Sequence, residues 1–141
     1  MTERKRQPRW VERLAVFSNA LERLTVVINR SKEHRLNEFE RDSLIKRFEF
    51  TYEMAWKLMM SYEKDNGVNG MLGSKDVVRH AVTLGLTDNG EAWMDMIDAR
   101  NQTSHIYDEE VATDVIDDIV CSYYPMLQDL QKKMKQLSCT D

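Results

Sequence analysis

The chain has 141 residues, 42% hydrophobic and 31% charged, with five glycines, two prolines and two cysteines. That length supports one compact domain, taken as 1–141 with about 1–8 and 138–141 as flexible ends, and so few glycines and prolines exclude a many-stranded fold. The net charge of -4 is uneven: residues 1–47 carry 12 Lys/Arg against 7 Asp/Glu, whereas residues 48–141 carry 8 against 17, so the amino-terminal third is suited to phosphate or to an acidic partner surface.

Residues 1–9 lack the apolar run of a signal peptide, and no later stretch reaches membrane-spanning length. The expectation is therefore a cytoplasmic protein with no membrane association. Trp10, Leu14, Phe17, Leu21, Leu24 and Ile28 alternate at intervals of four and three, which predicts a first helix from near Pro8, packing by one stripe. After a polar link at 31–37, a second helix is expected from about Glu38 to Lys64, with Leu44, Phe48, Tyr52, Ala55, Met59 and Tyr62 inward. Ile45, Trp56 and Met60 widen that stripe, so it should meet several neighbours or another subunit. Glu49, Glu53 and Lys57 fall at successive i,i+4 positions, where Glu53 and Lys57 can pair.

Three glycines within 67–73 predict a mobile loop. It has no Gly-Lys-Ser/Thr ending, which excludes a phosphate-binding P-loop. Ser74 is the expected N-cap of a short third helix carrying Val77, Val78, Ala81 and Val82, with Gly85 as its stop. Asp88 and Glu91 are spaced as a capping box for a fourth helix with Ala92, Trp93, Met96 and Ile97 inward. The period then breaks, because Arg100 and Ser104 stand where further apolar residues are due. Asp108, Glu109 and Glu110 suit the positive end of a long fifth helix, with Val111, Val115, Ile119, Tyr123, Leu127, Leu130, Met134 and Leu137 inward and a kink at Pro125. Cys121 and Cys139 have no metal-ligand or disulfide spacing and are read as two reduced thiols. The fold class is all-α: an up-and-down four-helix bundle with one extra short helix.

An arginine on a buried stripe needs an anion or a carboxylate. One reading of Arg100 is an internal ion pair, with Asp95 or Glu53 as partner. The other is chemical, because His105 lies about 140° around and roughly 7.5 Å along from Arg100, with Asn101, Thr103, Ser104 and Tyr107 close by. Their heads can meet if the helix ends near Ser104. His34 and His80 have no partner at ligand spacing, and Trp10, Trp56 and Trp93 sit on apolar stripes as core residues.

Arg-Asn-x-x-x-His-x-Tyr, at Arg100, Asn101, His105 and Tyr107, resembles the signature of HEPN toxins that pair with minimal nucleotidyltransferase antitoxins. Three blocks in order, Phe48–Leu58, Ser74–Arg79 and Trp93–Met96, resemble the family also described as nucleotidyltransferase substrate-binding proteins. The likeness runs from about Trp10 to Leu130. It implies a HEPN-like homodimer in which two copies of the motif face one cleft and act as an endoribonuclease without metal or cofactor. In this reading Arg100 grips the scissile RNA phosphate, His105 moves protons and Asn101 orients substrate or histidine. Tyr107 matches the position where such toxins receive adenylyl groups from the antitoxin, adding charge that repels RNA. An RNA cleft should be positive although 48–141 is acidic, so Arg79, Arg100 and the first helix have to supply the charge, with Ser104 as a further substrate contact. The alternatives are a non-catalytic subunit that presents a substrate, or its own Tyr107, to a nucleotidyltransferase, and a purely structural helical oligomer.

Overall fold

Apolar positions at three- and four-residue spacing bury themselves when two such helical stripes are laid together, and α1 (Arg9–Glu33) and α2 (Glu38–Asp65) do so as an antiparallel pair. The structure, a computed structural model, describes residues 8–105 and 109–139, the side chains of His105 and Glu109 excepted. The reversal between the two helices is fixed by a capping box: Glu40 N–H donates to Asn37 Oδ1 at 2.8 Å, and Asn37 N–H donates to Glu40 Oε1 at 2.9 Å. That Asn37 bond, helped by His34 and Arg30, holds the Glu40 carboxyl below its usual range. His34 Nε2 lies 3.0 Å from Glu40 Oε2 and Arg30 Nη1 3.6 Å from it.

Contacts along the pair run in opposite directions. Arg47 Nη1 donates to Arg23 O at 2.7 Å, Thr51 Oγ1 to Ala20 O at 3.2 Å, and the Tyr62 ring meets Trp10 edge to face at 5.3 Å. All six expected positions of α1 are buried. On α2 the stripe ends differently: Tyr62 is half-buried, and Glu63 takes the buried position.

Helix α3 (Ser74–Thr83) packs on α2 and on α4 (Gly90–Gln102). Its N-cap is Gly73, one residue before the expected Ser74, at a φ of 144° that a side chain rarely adopts. Gly85 at φ 77° ends α3 in a Schellman arrangement, with Leu86 N–H reaching Ala81 O at 2.9 Å. Val82, expected inward, is exposed. The α4 cap is Asn89, which accepts from Ala92 N–H at 3.1 Å and so replaces the expected box at Asp88 and Glu91.

Beyond a 3₁₀ turn at Thr103–His105 come α5 (Glu109–Asp118), a π turn at Ile119–Tyr123 and α6 (Tyr124–Ser138). The kink expected at Pro125 therefore takes the form of a widened turn just before it, in which Tyr124 N–H reaches Ile119 O. Both tyrosines there are buried. Tyr123 stacks on Phe48 at 5.9 Å, while the Tyr124 hydroxyl lies 2.7 Å from Thr25 Oγ1 on α1. Val111, expected inward, is exposed, as are the free thiols of Cys121 and Cys139. The bundle thus has four main rods, α1, α2, α4 and α5 continued by α6, plus short α3, all sharing one buried cluster. Among the described residues no helix is long and apolar enough to cross a membrane.

Glu63 is fully buried, and neither carboxylate oxygen has a hydrogen-bond partner. Burial raises its pKa from the usual carboxylate range to about 8, so the folded chain keeps it protonated where the unfolded chain ionises. The unfolded state then binds fewer protons between about pH 4.5 and 8, and stability from this group falls as pH rises through that window. Glu63→Gln should raise the melting temperature at pH 8, with a difference that shrinks toward pH 5. Thermal melts across that range would show this, and an offset independent of pH would refute it.

Candidate functional site

Trp93, Met96 and Ile97 give α4 a buried stripe, and one turn further the stripe meets Arg100. The cation is held there by Glu49 of α2: Arg100 Nη1 lies 3.3 Å from Glu49 Oε2, with side chains 30% and 19% exposed. The partner is neither Asp95 nor Glu53. Glu53 instead meets Lys57 Nζ at 3.4 Å and accepts from Trp56 Nε1 at 3.1 Å. Arg100 Nε is buried with no acceptor, so the guanidinium is held without being saturated. Close to it the buried Tyr52 phenol is pushed up in pKa, chiefly by burial, against opposing pulls from the Ser74 hydroxyl and Arg100.

The last turn of α4 is closed by Thr103, whose Oγ1 donates to Arg100 O at 2.7 Å. Thr103 is buried and Ser104 exposed, the reverse of what an uninterrupted α period gives, because a 3₁₀ turn rotates further per residue. Ser104 Oγ donates to Asn101 O at 3.4 Å, and Asn101 is exposed at the bundle surface. The backbone of His105 ends this turn. Its side chain and Tyr107 lie outside the described residues.

Arg100 opens into a cleft of about 730 Å³ between α1, α2 and α4, lined also by Arg23, Lys46, Arg47, Glu49 and Phe50. With Glu53 at its edge, the cleft has four cations against two carboxylates. Arg23 and Lys46 make no ion pair among the described residues, and Arg47 spends one donor on the backbone of α1. The basic first third of the chain thus reaches Arg100 through α1 and the start of α2. The sequence pointed to the first helix as the source of charge, but Lys46, Arg47, Glu49 and Phe50 were not legible as site residues. Arg79 stays on α3, pairing with Asp76 at 2.8 Å, and does not line the cleft.

The acidic surplus lies elsewhere. Asp95, Asp98 and Asp118 line a separate cavity of about 510 Å³ with Tyr123, and Asp98 is about 200° around α4 from Arg100. Those three aspartates and burial raise the Tyr123 pKa, burial contributing most. Among the described residues no group of three or more His, Cys, Asp or Glu side chains is placed to hold a metal ion.

Residues 12–136 match the family model for nucleotidyltransferase substrate binding protein like chains. A probable ribonuclease HepT of Haemophilus influenzae is 35% identical over 96 residues, covering 63% of this chain and 66% of that protein, just under two thirds of its length. A Haemophilus influenzae structure showing the fold of a substrate binding domain of a nucleotidyltransferase is 28% identical, with a TM-score of 0.68 over 84% of this chain and 98% of that one. A tri-AMPylated Shewanella oneidensis HEPN toxin, solved with its MNT antitoxin, has a TM-score of 0.75 over 93% of this chain and 99% of that one. At 14% identity this last likeness concerns the fold alone, and the fold is the HEPN-like bundle that the sequence led us to expect.

A half-buried pair with one contact at 3.3 Å should be worth about 1 kcal/mol, the upper end for exposed pairs. A double-mutant cycle with Glu49→Gln and Arg100→Gln, read by urea unfolding, should return a coupling of that order. Strict additivity would mean that Glu49 does not hold the cation in solution.

Proposed function

This chain belongs to the nucleotidyltransferase substrate binding protein like family, and on that premise we propose that it is the toxin half of a toxin–antitoxin pair, a HEPN-type endoribonuclease. The observation that carries the reading is the placement of Arg100, the first residue of the motif, on an open cleft with three further cations. A guanidinium with free donors binds a phosphodiester and stabilises the charge that builds on its oxygens as the attacking oxygen closes on phosphorus. The probable ribonuclease HepT among its relatives supports the same chemistry.

In this mechanism an RNA phosphate competes with Glu49 for Arg100, and Asn101 orients the nucleotide. His105, near neutral in its ordinary pKa, takes the 2′-hydroxyl proton. The O2′–P bond forms as the P–O5′ bond breaks, and O5′ leaves with a proton, so the products are a 2′,3′-cyclic phosphate and a 5′-hydroxyl. Two copies of the motif facing one groove supply one imidazole as base and another, protonated, as acid. That division of labour is the chemical reason for the homodimer. The guanidinium supplies the electrostatic stabilisation, so none of these steps calls on a metal. Ser104, exposed beside Asn101, is within the same surface as an RNA contact.

The antitoxin partner is a minimal nucleotidyltransferase acting on Tyr107. The phenol oxygen attacks the α-phosphate of ATP and pyrophosphate leaves, and the added nucleotide fills the RNA path with bulk and negative charge. The AMPylated HEPN toxin in the solved complex supports this assignment. A second reading, a non-catalytic subunit that presents Tyr107 to the nucleotidyltransferase, is favoured by one observation: Glu49 already occupies one edge of Arg100.

Arg100→Ala and His105→Ala should each lower cleavage of labelled RNA in the presence of EDTA by at least about 10²-fold, the loss typical of removing one charge-stabilising donor, with circular dichroism unchanged. A fully active His105→Ala protein would remove the catalytic assignment. Incubation with the partner nucleotidyltransferase and ATP should add adenylyl mass to the wild type and none to Tyr107→Phe. Adenylylation of a wild type that never cleaves RNA would establish the second reading instead.

A further inference from the structure

The cleft holds one side chain that neither ion pairing nor proton transfer explains. Phe50 is 53% exposed although it lies on a helix whose other phenylalanine at this level, Phe48, is fully buried. An exposed aromatic ring forfeits apolar burial unless something covers it. Its surroundings say what would. Lys46 is one turn away on the same face of α2, about 6 Å between Cβ atoms, and Arg23, Arg47 and Arg100 line the same cleft. Cations beside an open ring suit a ligand that is anionic along one edge and flat and aromatic along the other. Nucleotides in a strand have that construction.

We propose that the Arg100 cleft takes RNA as an unpaired strand, with one base laid on the Phe50 ring and the flanking phosphates held by Arg23, Lys46 and Arg47. The inference rests on the ribonuclease reading and names the substrate form of that site. In a duplex both faces of each base are covered by neighbouring bases, and the edges within reach are largely phosphate and 2′-hydroxyl, so no base face is available to a ring on the protein. In a loop or single strand the base is free to leave its neighbours and stack on Phe50. The spacing of Lys46 and Phe50 matches the step from a base to the phosphate of its own nucleotide. The cleft volume of about 730 Å³ lies within the roughly 300–1,000 Å³ of sites that enclose small ligands, adequate for a splayed nucleotide. Phe50 is thereby the residue that selects unpaired RNA, and stacking makes it tolerant of base identity.

The test uses the full-length protein and a fluorescent RNA oligonucleotide carrying 2′-O-methyl groups, which cannot be cleaved by attack of a 2′-hydroxyl. Anisotropy should show tighter binding of the single strand than of the same sequence annealed to its complement. Phe50→Ala should weaken single-strand binding by about tenfold, within the range for losing one base–aromatic stack, leave duplex binding unchanged, and be rescued by Phe50→Trp. One abasic position in the oligonucleotide should reproduce the loss and add nothing to Phe50→Ala, and that arm needs no protein variant. Equal binding by Phe50→Ala, additive losses, or a change of sedimenting mass in the variant would overturn the proposal, the last because the ring would then belong to a contact between copies. Since binding is read without cleavage, the two ideas fail separately. Normal binding by Phe50→Ala beside a dead Arg100→Ala enzyme would sink the stacking alone, whereas stacking with no cleavage of unmodified RNA would sink the ribonuclease alone.

Discussion

A guanidinium at the end of an apolar helical stripe has to be met by solvent or by a carboxylate, and Arg100 is met by both. Glu49 takes one edge at 3.3 Å, while the rest of the group faces an open cleft or a buried spot with no acceptor. The neighbours follow from that compromise. Glu49 has to sit on α2 at the level of Arg100, which requires α2 to run past the end of α4. Thr103 has to close the last turn onto the Arg100 carbonyl, which aims the chain toward the following 3₁₀ turn. A fully saturated ion pair would be a strut, whereas a partly saturated one is a cation held ready for a stronger anion.

The second organising feature is the separation of charge by α4. One face of the helix brings Arg100 to the cations of α1 and α2, and the opposite face carries Asp95 and Asp98 toward α5 and the π turn. An acidic chain can in this way own a locally positive cleft, because the potential a phosphate meets is set by the nearest charges and falls off within roughly 10 Å at ordinary salt. Helix α2 serves both ends of the arrangement. Its inner stripe makes the core with α1, and its next face supplies Lys46, Glu49 and Phe50. A broad apolar stripe and a functional face on one helix explain why α2 is the longest of the helices described.

Much of the fold was legible because burial on α1 follows one interval without exception, from Trp10 to Ile28. The misses share a cause. Asn89 displaced Asp88 as a cap, Gly73 displaced Ser74, and Thr103 displaced Ser104 as the buried residue, each a shift of one position at a helix end where several polar residues compete for the same donors. Glu63 escaped notice because a carboxylic acid is read as polar, although burial can keep it neutral. Of the site, Arg100 stood out as a break in periodicity, a signal carried by neighbouring residues. Arg23, Lys46, Arg47, Glu49 and Phe50 are far from it along the chain, and their convergence depends on how three helices cross, which no local pattern encodes.

The π turn at Ile119–Tyr123 has a consequence for how such a chain can change over generations. A wide turn holds one residue more than the helical pitch needs, and here that surplus lets neighbouring tyrosines face opposite ways, Tyr123 toward Phe48 and Tyr124 toward Thr25. Losing a single codon in this stretch would let the helix run straight through, turning everything after it by about 100°. Leu127, Leu130 and Met134 would swing out of the core together. Lineages carrying this bundle should therefore vary freely in the identity of residues 119–123 while keeping their number fixed.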